Sequence, residues 1–307
     1  MKRISETIIF FGSGPVAAES LRLLTKIATV EAVVTKPRAA HHKGDVPVLS
    51  LAEELAIPTY TVSNRAELEK LFSSCDFESR LGILIDFGII VSDQVINFFP
   101  LGIINSHFSI LPEWRGPDPI TYSILSGQKQ TGVSLMLLVR GMDEGPLLGY
   151  GEYDLPSDIT TPELTDDLIK LSDTLLGSMV EGYCQGDIEP LPQTITGRKV
   201  SYSHKLSKDD GIINWTESAT NIERKIRAFF EWPKCHATLG GIDVIVTEAH
   251  VVDMKGKPGS LTVSEVNLPT VYCGTHALVI DKVKPAGKKE MTGQAFLAGY
   301  KNKLSLE

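Results

Sequence analysis

The sequence predicts a doubly wound α/β fold, with a mostly parallel sheet, followed by a small antiparallel β-barrel. Three observations carry that expectation. Short apolar runs without polar alternation recur through the first half, separated by amphipathic stretches. That is the pattern of parallel strands covered on both faces. A polar stretch rich in Pro, Gly and Ser then interrupts the chain between 185 and 211. Beyond it lie one helical stretch and five short strand-like runs with turn residues between them, as in small antiparallel barrels.

Taken in order, TIIFF (7–11) reads as the first strand and 16–28 as a helix. VEAVV (30–34) is the second strand, with helices over 48–56 and 65–72. LGILID (81–86) and LGIIN (101–105) are further strands, separated by a short helix over 93–99. Crossovers between such strands are nearly always right-handed. ITYSILSG (120–127) makes a helix, and 132–139 and 146–155 make two more strands. A long helix spans 161–183, with Thr161 as N-cap, Pro162 at its first position and Glu163 in its first turn. A last helix over 218–232 precedes strand-like runs at 236–241, 243–252, 259–266, 270–274 and 276–285. The expected division is 1–185, a surface linker over 186–206, and 207–307.

At 307 residues the chain passes the size at which one core stops growing, so two domains are expected. No apolar run nears the roughly 20 residues of a membrane span. The apolar part of the N-terminus is only TIIFF, which is a strand and not a signal peptide. Cys75, Cys184, Cys235 and Cys273 form no C-x-x-C pair. That argues against a disulfide framework or a zinc site and fits a reducing cytoplasm. A net charge of −8 argues against bulk nucleic-acid affinity, but the charge is uneven. Residues 1–206 carry net −9 and residues 207–307 net +1, with eight lysines against four acids in 255–307. That asymmetry sets the tail apart.

Gly12-Ser13-Gly14-Pro15-Val16-Ala17 formally fits the dinucleotide pattern G-x-G-x-x-[GA] between a strand and a helix. A nicotinamide site also wants an acid at the end of the second strand, for the ribose hydroxyls. That strand ends Val34-Thr35-Lys36-Pro37, and Pro15 removes a backbone donor from the loop. A nicotinamide-dependent dehydrogenase is therefore the weaker alternative, and a tight strand-to-helix turn explains the glycines.

Residues 105–119 read NSHFSILPEWRGPDP. Asn105 and His107 are two apart on a strand and so share one face. They lie at the carboxyl end of that strand, where open α/β sheets place their ligands. Pro112, Pro117 and Pro119 restrict the loop that follows, and Gly116 permits close approach. A lone histidine there is more often structural, but a pair on a locked loop favours function. RGMDEG (140–145) read alone is a hairpin turn. Beside the Asn/His strand, one of its carboxylates can orient the imidazole and support its protonated form. An Asn amide and an imidazolium together stabilise a developing oxyanion on a carbonyl. No activated nucleophile accompanies them, so the attacking group should come from a second substrate. The composition points to acyl transfer from a carrier to an amine.

FFGSGPVAAESL, NSHFSILPEWRGPDPI, TGVSLMLLVRGMDEG, NWTESATNIERKIRAFFEWP and KPAGKKEMTG together resemble the methionyl-tRNA formyltransferases, in order over essentially the whole chain. The core Asn-x-His-x-Ser-x-Leu-Pro-x-x-Arg-Gly with a later Asp-x-Gly marks 10-formyltetrahydrofolate-dependent formyltransferases in general. Arg227-Ala228-Phe229 through Trp232-Pro233, and Pro285-Ala286-Gly287-Lys288-Lys289, narrow the resemblance to the tRNA enzymes.

The resemblance implies a Rossmann-like formyltransferase domain over 1–185 and an OB-like, tRNA-binding barrel over 207–307. It implies transfer of the formyl group of 10-formyltetrahydrofolate to the α-amino group of methionine on charged initiator tRNA, for translation initiation. Asn105, His107 and Asp143 become the catalytic trio. Ser109, Ile110, Leu111 and Pro112 stand where the family contacts its folate, and Phe87-Gly88 matches the loop that packs on the pterin ring. Arg38, Lys43, Lys284, Lys288 and Lys289 are the candidate tRNA contacts, joined by Lys255. The loop after the second strand is shorter than the family's basic run. Asp118 stands where a small residue is common, as a candidate N-cap for the helix from Pro119. A monomer in the cytoplasm is expected, with no metal and no membrane. A sugar-nucleotide N-formyltransferase using the same co-substrate is the main alternative. A non-catalytic RNA-binding module would leave the Asn/His pair unexplained.

Overall fold

The computed structural model describes residues 3–38, 46–300 and 302–304. The chain forms two compact units. The first holds the chain up to Pro119, with Gln130–Asp154 and Thr165–His204. The second holds Ile120–Lys129, Leu155–Leu164 and the chain from Lys205.

The first unit alternates strands and helices through β1 (Thr7–Phe11), α1 (Pro15–Leu24), β2 (Thr29–Thr35), α2 (Pro47–Glu54), β3 (Thr59–Thr61) and α3 (Arg65–Ser74). β4 (Leu81–Leu84), α4 (Asp93–Ile96), β5 (Ile103–His107), β6 (Gln130–Leu137), β7 (Leu147–Asp154) and most of α6 (Thr161–Gln185) follow, while α5 (Pro119–Ser126), between β5 and β6 in sequence, belongs almost wholly to the second unit. The sheet order is β3-β2-β1-β4-β5-β6-β7. β1 to β5 are parallel, while β6 and β7 run antiparallel at one edge. The order turns between β1 and β4, which makes the crevice beyond their carboxyl ends the place for a ligand.

β1 is buried along almost its whole length because both sheet faces are covered: Ile8, Ile9, Phe10 and Phe11 are fully enclosed. Phe11 sits among Phe72, Phe87 and Phe99 with ring centroids 5.8, 5.6 and 5.9 Å away. The Phe72 pair is stacked and the other two are edge-to-face, and aromatic pairs of these kinds add about 0.5–1.5 kcal/mol each beyond the area they bury. That aromatic knot anchors the ends of β1 and β4.

The edge strand β3 is absent from the sequence-based assignment. Its three residues, Thr59-Tyr60-Thr61, are too few to show a period, and only pairing with β2 makes them a strand. The cap of α6 also moves. Thr160, not Thr161, precedes the helix, and Glu163 reaches back to accept from the Thr160 N–H at 2.9 Å. α5 does begin directly after Asp118.

In the second unit, α7 (Ala219–Ala228) precedes β8 (Cys235–Leu239), β9 (Ile242–Val252), β10 (Leu261–Val263), β11 (Pro269–Tyr272), β12 (Ala277–Pro285), β13 (Met291–Thr292) and α8 (Gly293–Tyr300). The Ser218 hydroxyl caps α7 by accepting from the Asn221 N–H at 3.2 Å. The strands are all antiparallel in the order β10-β11-β12-β9-β8, with β13 on β12. β10 and β8 do not pair with each other, so this is a half-barrel and not a closed barrel. Val244, Val246, Val271, Leu278, Ile280 and Phe296 form its core with Ile222 and Ile226 of α7. The helix expected over 218–232 stops at Ala228, and α8 went unpredicted because its eight residues carry little amphipathic signal.

Candidate active site

β4 and β5 pair in register, with Leu84 beside Asn105. Asn105 and His107 therefore lie at the carboxyl end of the strand next to the crevice, at 7% and 6% exposure. Their neighbour two residues back on the same face, Ile103, belongs to the aromatic-rich core. The burial that seats Ile103 thus aims the two polar side chains. No hydrogen bond among the described residues engages the Asn105 amide.

The His107 ring is held at both nitrogens. Nε2 lies 3.0 Å from the Trp114 carbonyl oxygen, which can only accept, so Nε2 carries a proton. Nδ1 lies 3.8 Å from Asp143 Oδ2, within ion-pair reach but longer than a hydrogen bond. Asp143 comes from the β6–β7 loop, and its Oδ2 accepts from the Gly116 N–H at 2.7 Å. One carboxylate thus links the hairpin turn to the loop after β5. Trp114 and Asp143 both adopt positive φ, 55° and 51°. Two non-glycine residues in that region mark a loop pair held by its surroundings.

What holds them is the segment expected to be a linker. Much of 186–206 does run exposed, but Gln193 and Ser203 are buried. Gln193 Nε2 donates to the carbonyls of Asp143 and Gly145, at 2.7 and 2.9 Å. Its Oε1 accepts from Arg115 at 2.7 Å, and Arg115 also pairs with Glu144 at 3.1 Å. Trp114 N–H donates to the Ser201 hydroxyl at 2.9 Å, Arg115 N–H donates to the Ser201 carbonyl at 3.0 Å, and Ser203 N–H donates to the Arg115 carbonyl at 2.8 Å. Gly116 sits at φ 114°, where a Cβ would lie 2.6 Å from the Ser203 carbonyl oxygen. The sequence reading missed Gln193, Ser201 and Ser203. Their stretch, PLPQTITGRKVSYS, has no period, and a glutamine following two prolines is a faint signal.

The residues expected to contact folate are placed differently. Ser109, Ile110 and Leu111 are fully buried, as is Pro112 after a cis bond. Ser109 Oγ donates to the Glu113 carbonyl at 2.5 Å, and Ser134 Oγ donates to the Ser109 carbonyl and accepts from Leu111 N–H. These four side chains are enclosed by protein. The Phe87 ring likewise packs in the core against Phe11, at 1% exposure, so it offers no face to a ligand. Gly88, exposed at φ 63°, leaves backbone within reach. Exposed apolar side chains stand close by in sequence: Ile90 at 78% and Met142 at 65%.

The formyl transferase family profile matches residues 7–179, and the profile of the formyl transferase C-terminal domain matches 205–301. A methionyl-tRNA formyltransferase of Pseudoalteromonas translucida is 33% identical over 301 residues, covering 95% of this chain and 93% of that protein. One from Chloroflexus aggregans is 34% identical over 300 residues, covering 95% and 96%. The chain belongs to the formyl transferase family. Among solved structures, the N-formyltransferase of Helicobacter canadensis, in complex with folinic acid and dTDP-3-aminofucose, superposes with a TM-score of 0.67. At 17% identity over 90% of this chain and 98% of that one, it shares the fold.

In this formyl transferase the glycine loop after β1 is not a phosphate cradle. Gly14 caps α1, and the Asp86 carboxylate lies directly over it. An anion bound there would meet a negative charge. Asp86 itself follows β4 at φ 49°, with its carbonyl accepting from Ser13 N–H at 3.0 Å. Protein crowds the group on most sides while its tip stays open to water, as befits a crevice. Loss of solvation pushes its carboxyl up to about 6, with Asp118 adding to the push and Lys36 opposing it.

Of the candidate tRNA contacts, Arg38 is exposed beyond β2, and Lys43 lies outside the described residues. Lys255, Lys284, Lys288 and Lys289 are exposed in the second unit. Lys284 lines a groove of about 700 Å³ with Ile212, Trp215, His236, Thr238 and Asp243. Among the described residues there is no group of three metal-ligating side chains, and no helix is long and apolar enough to cross a membrane.

Proposed function

We propose that this formyl transferase moves the formyl group of 10-formyltetrahydrofolate to the α-amino group of methionine on charged initiator tRNA, in the cytoplasm and as a monomer. The observation that carries the reading is the Asn105–His107 pair. These are two donors on one face at the end of β5, braced by Asp143 and aimed into the crevice of the sheet.

In the proposed reaction the folate supplies a formyl group carried on nitrogen. The exposed side chains of Ile90 and Met142 and the backbone at Gly88 would hold its ring system. Asn105 Nδ2 donates toward the formyl oxygen, where negative charge builds as the amine attacks, and the His107 imidazolium, whose two nitrogens face the Trp114 carbonyl and Asp143, adds its positive charge beside it. Asp143 keeps the imidazole turned and balances its charge, while Gly116, Gln193 and the Trp114 carbonyl keep both partners in place. Buried walls from Ser109 to Pro112 exclude water behind the reacting carbon.

The tRNA reading rests on the second unit and on relatives named for that substrate. Trp215 and His236 offer stacking surfaces beside Lys284, and Lys288 and Lys289 stand on the adjoining turn. Sugar-nucleotide transfer shares the fold and co-substrate, but it is served less well by a carboxylate over the α1 N-terminus.

The deciding experiment offers 10-formyltetrahydrofolate with methionyl initiator tRNA in one reaction and a 4-amino sugar nucleotide in another. Formylation of the tRNA alone is expected. Transfer to the sugar nucleotide alone would overturn the reading.

A further inference from the structure

The donors at β5 leave one chemical requirement unmet. An amine enters largely as its ammonium, since α-amino groups titrate near 7.7–8.0. It cannot attack until one proton has gone. His107 is poorly suited to take it. Its Nε2 proton is tied to the Trp114 carbonyl and its Nδ1 faces Asp143. Asp143 is no better placed, because its Oδ2 is occupied by Gly116 N–H and its side chain is only 14% exposed. Both are more enclosed than Asp86, which is exposed.

Asp86 has what these two lack. It stands two residues past Leu84, the last residue of β4, which pairs with Asn105, so it leaves the sheet at the same carboxyl edge as the donors. It also lies at the turn in sheet order between β1 and β4, where ligands of such sheets sit. The β1–α1 loop makes room for it. A Cβ on Gly14 would come 2.3 Å from Asp86 Oδ2, so the carboxylate's position depends on a glycine there. That loop, Gly12-Ser13-Gly14-Pro15, brings no charged group. The groups that do face Asp86 are Lys36 from the end of β2 and Asp118 from the loop before α5. Lys36 Nζ rests over Gly88, 2.7 Å from where a Cβ would sit. No hydrogen bond or ion pair among the described residues holds the Asp86 carboxylate, and its side chain reaches solvent.

We infer that Asp86 is a further catalytic residue, the acceptor that takes the proton from the incoming ammonium, with Asp118 opposite it drawing the cation in. The inference rests on the amine-formylating reading above. The amine N–H bond breaks and its proton goes to an Asp86 oxygen. The freed lone pair forms the bond to the formyl carbon, and the bond from that carbon to the carrier nitrogen breaks. The second amine proton goes to the carrier nitrogen, and Asp86 releases the first to water. One proton is set free per turnover, and nothing is oxidised or reduced. A carboxyl raised by its crevice binds that proton better than a solvated one, yet still returns it at neutral pH. Lys36 and Asp118 act on Asp86 with opposite sign.

The test measures kcat against pH with saturating methionyl-tRNA for the wild type and Asp86→Asn, and titrates carboxyl carbons by NMR in the unliganded protein. In the wild type kcat should rise with a midpoint near pH 6 and level off. In Asp86→Asn the midpoint should move toward the amine's own value. The loss should then be about 10- to 25-fold at pH 6.5 and shrink steadily by pH 9. Asp118→Asn should lower the wild-type midpoint, and Lys36→Gln should raise it. In the NMR arm, a resonance with a midpoint near 6 should vanish in Asp86→Asn. Three results would each overturn the inference: an unshifted midpoint in Asp86→Asn, a loss equal at every pH, or an Asp86 resonance titrating near 4. Absence of tRNA formylation by the wild type would instead overturn the functional reading, with the NMR arm still deciding the state of Asp86.

Discussion

Gln193 holds Asp143 by its backbone: one side-chain NH₂ donates to the carbonyls of Asp143 and Gly145 at 2.7 and 2.9 Å. The carboxylate that faces His107 is thus placed by a residue 50 positions away in sequence, one that touches no reacting atom. Replacing Gln193 with Leu leaves two buried carbonyls and the Arg115 guanidinium short of a partner. Unpaired buried groups cost about 1–3 kcal/mol. The expected outcome is a lower melting temperature and a fall in kcat of about tenfold or more. The KM for tRNA should hardly move, since the groove residues lie elsewhere. Steady-state kinetics and calorimetry check both.

Asn105→Ala and His107→Ala should each lower kcat by about 10²–10³-fold, the usual loss when one donor to a developing oxyanion is removed. Circular dichroism should show the fold intact, because both side chains end a strand whose core contacts come from Ile103 and its neighbours. Near-wild-type turnover in either variant would remove that residue from the mechanism.

Gly116→Ala should be destabilising. The position combines φ 114° with a Cβ only 2.6 Å from the Ser203 carbonyl, and the atom in the way is backbone. Its N–H also carries the bond to Asp143. Activity should fall with stability, because relief of the clash parts the 186–206 segment from the loop after β5. Denaturant melts beside kcat measurements test the pairing of the two losses.

The Asp86 carboxyl gives stability a sign that can be read against pH. Its value near 6 in the fold exceeds the roughly 3.9 of an unfolded aspartate. The native state therefore holds this proton more tightly. The associated stabilisation is full below about pH 4 and disappears as pH rises through 6. Asp86→Asn should accordingly stabilise the protein at pH 7–8 and make little difference at pH 4. Because the side chain reaches water, the gain should stay below about 1 kcal/mol. Thermal melts across that range would show the trend.

Binding of tRNA should weaken steeply between about 50 and 200 mM salt. Charge removal at Lys284, Lys288 or Lys289 should lower the salt slope by about one each while leaving the KM for folate alone. An affinity indifferent to salt would free these lysines of any phosphate contact.

Burial on both faces made β1, β2, β4 and β5 legible, because each is a largely apolar run wanted by both sides of the sheet. The same logic located Asn105 and His107, since a polar pair ending such a run has no packing reason to be there. Local patterns also supplied Asp143 as a candidate, although only as a turn that happened to carry acids. The strap was not legible. Gln193, Ser201 and Ser203 work through hydrogen bonds to backbone atoms far off in sequence, and such bonds impose no period on the residues that make them. Nor could a motif show that the SILP side chains and the Phe87 ring turn inward, because burial there depends on what β1, β6 and the aromatic cluster present to them.

The chain's own order of residues therefore determined most of the sheet, the antiparallel strands of the second unit and the identities of the donors, since strand burial and turn chemistry act over a few neighbours. Tertiary structure alone decided which groups meet. It set Asp143 3.8 Å from His107, turned a linker into a brace, and laid the Asp86 carboxylate over Gly14 between a cation and another acid. Those are relations across strands and loops, and the charge a group carries depends on the company that folding brings to it.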